Sequence, residues 1–182
     1  MSDILRFAAN LQSFTSEPPS VGLGLPATPA HIPGLSDNPT ITDEQKIHII
    51  INWISSYFEH SGPFTRDLIS FDIVPSVNRI TSTSNMSFVE AEDIMDLNQY
   101  LSSDASFLQN YQHQKYTNYK AILFNRAVRD RLPWVKNWLL IGDASPQFCV
   151  SVLWSVQDND KVYGGGNVNY KVLHGMNHFV SC

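Results

Sequence analysis

Two histidines lie close together near the C-terminal end of this 182-residue sequence, at His174 and His178. They follow an alternating run over residues 168–173, and that pattern is typical of a β-strand. An imidazole is therefore expected just past a strand end, where open α/β sheets keep their chemistry. Such an imidazole can act as a base if it reaches both a nucleophile and a carboxylate. His178 is the first candidate for a catalytic residue, and a loop histidine without a catalytic task is the alternative.

An apolar run over residues 135–141 predicts a buried strand before these histidines. It ends in a Gly-Asp-Ala-Ser-Pro sequence at 142–146, which is expected where a strand stops and a helix begins. Residues 147–156 then predict a helix. Asp143 or Ser145 can cap this helix by accepting hydrogen bonds from its free amides. The last fifty residues are thus predicted to form a strand, a helix and a second strand.

Neither histidine spacing nor glycine content indicates a metal or a cofactor. A zinc site needs a third ligand and defined geometry, and the glycine and asparagine between His174 and His178 favour a turn. The Gly-Gly-Gly run at 164–166 precedes a strand, whereas phosphate-binding loops precede a helix. We therefore interpret it as a flexible connection and expect no cofactor and no metal.

Helices are predicted to fill most of the first two-thirds of the chain. A Thr-Asp-Glu-Gln capping box at 42–45 begins a helix that is expected to run to residue 60, where Ser-Gly-Pro stops it. Trp53 and Tyr57 widen its apolar stripe, which indicates deep burial or a partner surface. Further helices are predicted over 4–14, 88–101, 105–111 and 116–131, with short helical turns on both sides of Pro75. Residues 17–39 are predicted to be irregular and 81–87 to form a polar loop.

Composition predicts one globular domain with a sizeable core, since 43 % of residues are hydrophobic and only 16 % are charged. The net charge of −5 without a basic block argues against nucleic acid or an anionic membrane as a partner. Cys149 and Cys182 form no disulfide framework and no metal spacing, which fits a reducing compartment. We found no signal peptide and no stretch of membrane-spanning length, so a cytoplasmic location is expected.

The C-terminal stretch resembles the end of an α/β-hydrolase. It has the penultimate strand, a Gly-Asp-x-x-Pro turn, a helix, the last strand, and a Gly-x-Asn-His-Phe loop that carries the triad histidine in that family. Residues 18–24 and 53–60 resemble the lid region of large fungal hydrolases. The resemblance implies a partial α/β-hydrolase-like fold in a single domain that is incomplete as a hydrolase. Residues 1–131 would form a helical, lid-like region, and residues 132–182 the strand-helix-strand end with its histidine loop.

The resemblance implies hydrolysis of an ester or similar bond in a small apolar molecule through a serine nucleophile, with His178 as general base. The acid of the family often follows the penultimate strand in a Gly-x-x-Asp arrangement. Ser145 holds that position here, so either Asp143 would substitute for the acid through a shifted turn, or the acid would follow an earlier strand that this chain lacks. The sequence contains no Gly-x-Ser-x-Gly nucleophile elbow. The resemblance therefore implies a hydrolase portion that is inactive alone: a truncated product, a chain whose missing half comes from a complementing protein chain, or a chain that has lost its activity.

A non-catalytic helical interaction module is the competing interpretation. In that case the helix over 42–60 would present its apolar face to a partner. The two hypotheses make different predictions about association. A two-strand remnant of a larger sheet leaves strand edges exposed, so the hydrolase interpretation predicts oligomers, aggregation or obligate association.

Overall fold

The two apolar runs near the C-terminus form neighbouring strands of one parallel sheet. The computed structural model of the chain describes residues 13–16, 23–25, 38–60, 66–67, 71–87, 90 and 110–179. Within them the sheet has the order β1-β2-β3, with β1 at Ser13–Ser16, β2 at Lys136–Gly142 and β3 at Asn169–Leu173. Both neighbouring pairs are parallel. With its helices, the chain belongs to the α/β class.

Four α-helices lie fully within the described residues. They are α1 at Asp43–Ile54, α2 at Gln112–Phe124, α3 at Arg126–Arg131 and α4 at Gln147–Val162. A short 3-10 helix at Ser82–Asn85 lies between α1 and α2. Because parallel neighbours cannot be joined by a tight turn, α4 makes the connection from β2 to β3.

The core of the described residues lies between the sheet and α4. Leu139 and Ile141 of β2 belong to one buried apolar cluster with Val152 and Val156 of α4. Burying a side chain of this kind contributes about 1.5–3 kcal/mol. Helix α2 adds Tyr119 and Phe124 to the same cluster. The packing therefore fixes where β2 ends and α4 begins, which is where the candidate chemistry lies.

The predicted strand, helix and strand at the C-terminal end are confirmed. β2 and β3 each begin one residue later than predicted. Helix α4 extends to Val162, whereas the apolar pattern predicted an end near Val156. In its last turns Asp160 is buried, and its carboxylate accepts hydrogen bonds from the amides of Gly166 and Asn167 at 3.1 and 2.9 Å, which ties the helix end to the turn that follows.

The predicted start of α1 is confirmed and its predicted end is wrong. The Thr42 hydroxyl accepts from the amide of Gln45 at 3.2 Å, and the Gln45 side chain accepts from the amide of Thr42 at 2.9 Å. The helix stops at Ile54 rather than continuing to residue 60. The Ser55 and Ser56 hydroxyls donate to the carbonyl of Asn52, and such local bonds compete with helix continuation.

Residues 71–80 contain no helix, so the predicted helical turns around Pro75 are wrong over this part; residues 68–70 lie outside the described residues. Distant groups satisfy this backbone instead. The Trp53 indole donates to the carbonyl of Ile73 at 3.2 Å, and the amide of Ser76 donates to the carbonyl of Tyr57 at 2.7 Å. The predicted polar loop over 81–87 holds the short 3-10 helix.

The helix predicted over 116–131 is two helices, α2 and α3. Asn125 separates them, and its side chain caps α3 by accepting from the amide of Ala127 at 2.9 Å. The predicted Ser87 cap is present, because the Ser87 hydroxyl accepts from the amide of Glu90 at 3.3 Å. The rest of that predicted helix, and nearly all of the one over 105–111, lies outside the described residues.

The helix predicted over 4–14 is wrong at its end, because Ser13 and Phe14 belong to β1. Residues 4–12, and the proline-rich residues 17–22 and 26–37, lie outside the described part of the chain. In the described ranges, no helix combines the length and the apolar character that crossing a membrane requires.

Candidate functional site at the carboxyl ends of β2 and β3

Strands β2 and β3 end side by side, with Gly142 paired to Leu173. We call residues 142–146 and 173–179, which follow these strand ends, the carboxyl edge. The amide of Asp143 donates to the carbonyl of Leu173 at 3.2 Å, and the amide of Ala144 donates to the carbonyl of Met176 at 3.0 Å. A Cβ atom at Gly142 would lie 2.2 Å from the Met176 carbonyl oxygen, so only glycine permits this close approach.

Asp143 binds the first of the two histidines. Its Oδ2 atom lies 2.8 Å from Nδ1 of His174, and its Oδ1 atom accepts from the amide of Gly175 at 2.7 Å. The His174 side chain is 80 % exposed and the Asp143 side chain 20 %. Both carboxylate oxygens are thus used at the strand end, and α4 begins after Pro146 without a side-chain cap. The predicted helix cap by Asp143 or Ser145 is wrong.

His178 binds a different partner. Its Nδ1 atom lies 3.3 Å from Sγ of Cys149, which is buried in the first turn of α4. Its ring centroid lies 6.4 Å from that of Phe148 and 5.3 Å from that of Phe179. Burial lowers the pKa of His178 below its ordinary value of 6.5. The imidazole is therefore neutral at pH 7 and able to accept a proton.

His178 and Asp143, which the sequence interpretation offered as base and acid of one site, both lie at the carboxyl edge. Their hydrogen bonds go to Cys149 and His174 respectively. The partners were missed because each pair combines residues about thirty positions apart. The parallel pairing of Gly142 with Leu173 makes residues 143 and 174 neighbours, and this register comes from the structure, not from a local sequence pattern.

Asn177 anchors the loop that carries both histidines. It is fully buried, and its Nδ2 atom donates to the Ser55 carbonyl at 2.6 Å and to the Ser82 hydroxyl at 2.7 Å. Its Oδ1 atom accepts from the amide of Phe179 at 3.0 Å. Arg79 adds a bond from Nη2 to the carbonyl of Gly175 at 2.8 Å. The loop is therefore held in place by groups from distant parts of the chain.

His60 links the carboxyl edge to residue 72 through hydrogen bonds. Its Nδ1 atom accepts from the amide of Asp72 at 3.2 Å, so its Nε2 atom carries the proton and donates to the carbonyl of Ser145 at 2.7 Å. Burial lowers the pKa of His60. Ser145, which occupies the position of the acid in the resembling family, is fully buried, and its hydroxyl has no hydrogen-bond partner among the described residues.

Within the described ranges, no three His, Cys, Asp or Glu side chains are grouped so that they could hold a metal ion. The edge instead offers two imidazoles, each with a defined partner at Nδ1. No protein-family model matches the chain, and neither a curated protein nor a solved structure matches it. A proposal for its function therefore has to start from the contacts at the carboxyl edge.

Proposed function

We propose that this chain is a hydrolase-derived protein whose carboxyl edge provides the histidine base for hydrolysing an ester or similar bond in a small apolar molecule. The supporting observation is the half-buried imidazole of His178, which lies 3.3 Å from Sγ of Cys149 beside the ends of two parallel strands and whose pKa is lowered by burial. A general base is most effective when it is unprotonated at the working pH. Phe148 and Phe179 lie against the same ring and suit an apolar substrate.

The full reaction needs a serine nucleophile and an oxyanion hole, which the resemblance does not locate in these 182 residues. We propose that a complementing protein chain supplies them. By itself the chain is expected to use water. His178 would take a proton from water as its oxygen attacks the carbonyl carbon, and would return this proton to the leaving alkoxide. Hydrolysis by the chain alone is thus slow and depends on His178.

Release of p-nitrophenol from p-nitrophenyl butyrate, followed across pH, tests this proposal. We expect the wild-type chain to react about ten-fold or more faster than His178→Ala, because a positioned base contributes roughly 10²–10⁴-fold. The rate should rise with pH through a midpoint below 6.5, because burial lowers the pKa of His178. His113→Ala is the matched control, since His113 is exposed on α2. Equal rates for wild type and His178→Ala at every pH would overturn the proposal.

A binding module is the second candidate, and one observation favours it. Residues 73–80 expose four large apolar side chains, namely Ile73, Val74, Val77 and Ile80, and Val77 is 95 % exposed. We propose this segment as the surface open to a protein partner, beside α1, where Ile49 is 38 % exposed.

Light scattering coupled to size exclusion separates the two candidates. Under the binding-module hypothesis, association of the chain should weaken in Val77→Asp and persist in Val162→Asp, which alters an exposed valine on α4. Association that Val77→Asp leaves intact would instead point to the strand edges of an incomplete sheet.

A further inference from the structure

We infer that Asp143 and His174 form a second general base at the carboxyl edge, facing solvent and independent of His178. This inference rests on the proposed hydrolytic function and adds a residue to it. It assigns His174 as the group that contacts the attacking water and Asp143 as the residue that positions His174.

The hydrogen bonds of Asp143 determine which nitrogen of His174 is free to accept a proton. A carboxylate only accepts, so the 2.8 Å contact from Oδ2 requires a proton on Nδ1 of the imidazole. In the neutral ring the lone pair is then on Nε2. Because the side chain is 80 % exposed, Nε2 faces water rather than the protein core. This is the tautomer and orientation that a general base requires.

The surrounding backbone holds the pair in one geometry. Oδ1 of Asp143 accepts from the amide of Gly175, and the amide of Asp143 donates to the carbonyl of Leu173. The Gly175 carbonyl is in turn bound by the Arg79 guanidinium. The backbone on both strand ends therefore holds the carboxylate in place beside the imidazole. Little reorganisation of these groups is needed when a proton moves.

The two imidazoles differ in their hydrogen-bond partner at Nδ1. His178 faces a thiol, which is a weak donor and a weak acceptor. His174 faces a carboxylate, which stabilises the imidazolium formed when the base takes up a proton. The geometry thus gives the charged orienting partner to the exposed histidine and not to the half-buried one. Because of that difference, we expect the exposed His174 to act as a general base at the carboxyl edge.

In the proposed reaction His174 activates a water molecule. Nε2 of His174 removes a proton from a water molecule while the water oxygen forms a bond to the ester carbonyl carbon. The carbon–oxygen bond to the leaving group then breaks, and the leaving alkoxide takes the proton from Nε2. An alcohol and a carboxylic acid are released, and the imidazole returns to its neutral form with Nδ1 still bound to Asp143.

The first measurement is the nitrogen NMR spectrum of His174 at about pH 8, where an ordinary imidazole is neutral. We expect the Nδ1-protonated tautomer in the wild-type chain and loss of that preference in Asp143→Asn. His113, exposed on α2, is the internal control in the same spectra. An Nε2-protonated His174, or a tautomer that Asp143→Asn does not change, would overturn the inference whether or not the chain hydrolyses esters.

The second measurement is hydrolysis of p-nitrophenyl butyrate in the His178→Ala background. Adding His174→Ala or Asp143→Asn should lower the remaining rate roughly ten-fold, as expected for loss of a positioned base. If Asp143→Asn does not fold, His174→Gln takes its place. Double variants as fast as His178→Ala would overturn the second base and leave the proposed function standing. A wild-type rate equal to that of His178→Ala would overturn the proposed function, and the NMR result would then decide the tautomer separately.

Discussion

Two regions of the molecule differ in where their backbone amides and carbonyls form hydrogen bonds. In the C-terminal unit, residues 136–179, most amides and carbonyls bond within the parallel ladder or within α4. In the bridging segment, residues 55–60 and 71–87, several bonds instead join residues far apart in the sequence. The amide of Phe58 donates to the carbonyl of Ala144 in the C-terminal unit, and the amide of Ser82 donates to the carbonyl of Ser55 within the segment. The bridging segment is therefore held partly by its own long-range bonds and partly by the C-terminal unit.

This difference matters for the candidate site, because both regions hold the histidine loop. The C-terminal unit supplies Asp143, His174, Cys149 and His178. The bridging segment contributes the carbonyl of Ser55 and other groups that fix the loop through Asn177. Changes in either region should thus reach the carboxyl edge, but by different routes and with different magnitudes.

Gly142→Ala is expected to have the largest effect, since it disrupts the C-terminal unit directly. The added Cβ atom would lie 2.2 Å from the carbonyl oxygen of Met176 and 2.6 Å from that of Asn177. Backbone atoms cannot move away as a flexible side chain can, so we expect a loss of about 3 kcal/mol in unfolding free energy. Urea denaturation measures it. Gly165→Asn is the control, because that site is open and asparagine tolerates its positive φ, and a similar loss there would contradict the explanation.

Asn177→Ala should cost about 2–3 kcal/mol, because it leaves buried acceptors without a donor. It also tests the dependence of one region on the other. Hydrogen exchange should accelerate at the amide of Ser82 while the β2 amides stay protected. Asn169→Ala removes one bond from an exposed asparagine in β3 and should cost less than about 1 kcal/mol. Equal protection of the Ser82 amide in wild type and Asn177→Ala would show that the bridging segment does not hold the histidine loop through Asn177.

Two buried serines, one in each region, are expected to have smaller effects on stability, and these effects are opposite in sign. The Ser55 hydroxyl donates to the Asn52 carbonyl at 3.1 Å and contacts the Thr83 hydroxyl at 3.0 Å. Ser55→Ala should cost about 1–2 kcal/mol. Ser145→Ala should be neutral or stabilising, because it removes a buried hydroxyl that has no partner in the described part of the chain. Thermal unfolding of both variants compares them, and a loss of stability in Ser145→Ala would contradict this expectation.

The smallest effect is expected in the pH dependence of stability. Burial lowers the pKa of both His60 and His178 below 6.5 in the folded chain. Below pH 6.5 the unfolded chain then binds more protons, so stability is fully present above pH 6.5 and declines as the pH falls through the folded values. His60→Gln should make this decline shallower, whatever it costs near pH 8. Urea titrations between about pH 5 and 8 check it, and an unchanged slope would exclude His60 as a contributor.

Much of the fold could be predicted from local patterns. Three local patterns each predicted an element correctly: the capping box at Thr42, the apolar run of β2 and the alternation of β3. The backbone hydrogen bonds of these elements are made within the helix or between neighbouring strands. One failure occurs where distant groups bind the backbone, as around Pro75, where the Trp53 indole and the Tyr57 carbonyl do so. For the site, the sequence indicated that Asp143 and His178 lie at one edge of the sheet, but not which residues they bind.

The sequence by itself determined where the strands end, that histidines and a carboxylate follow them, and that no Gly-x-Ser-x-Gly elbow is present. Only the tertiary structure decided that Asp143 binds His174 while His178 binds Cys149. The physical reason is that these contacts join residues about thirty positions apart. Strand register and the packing of α4 set their distances, and neither quantity is encoded in a local pattern.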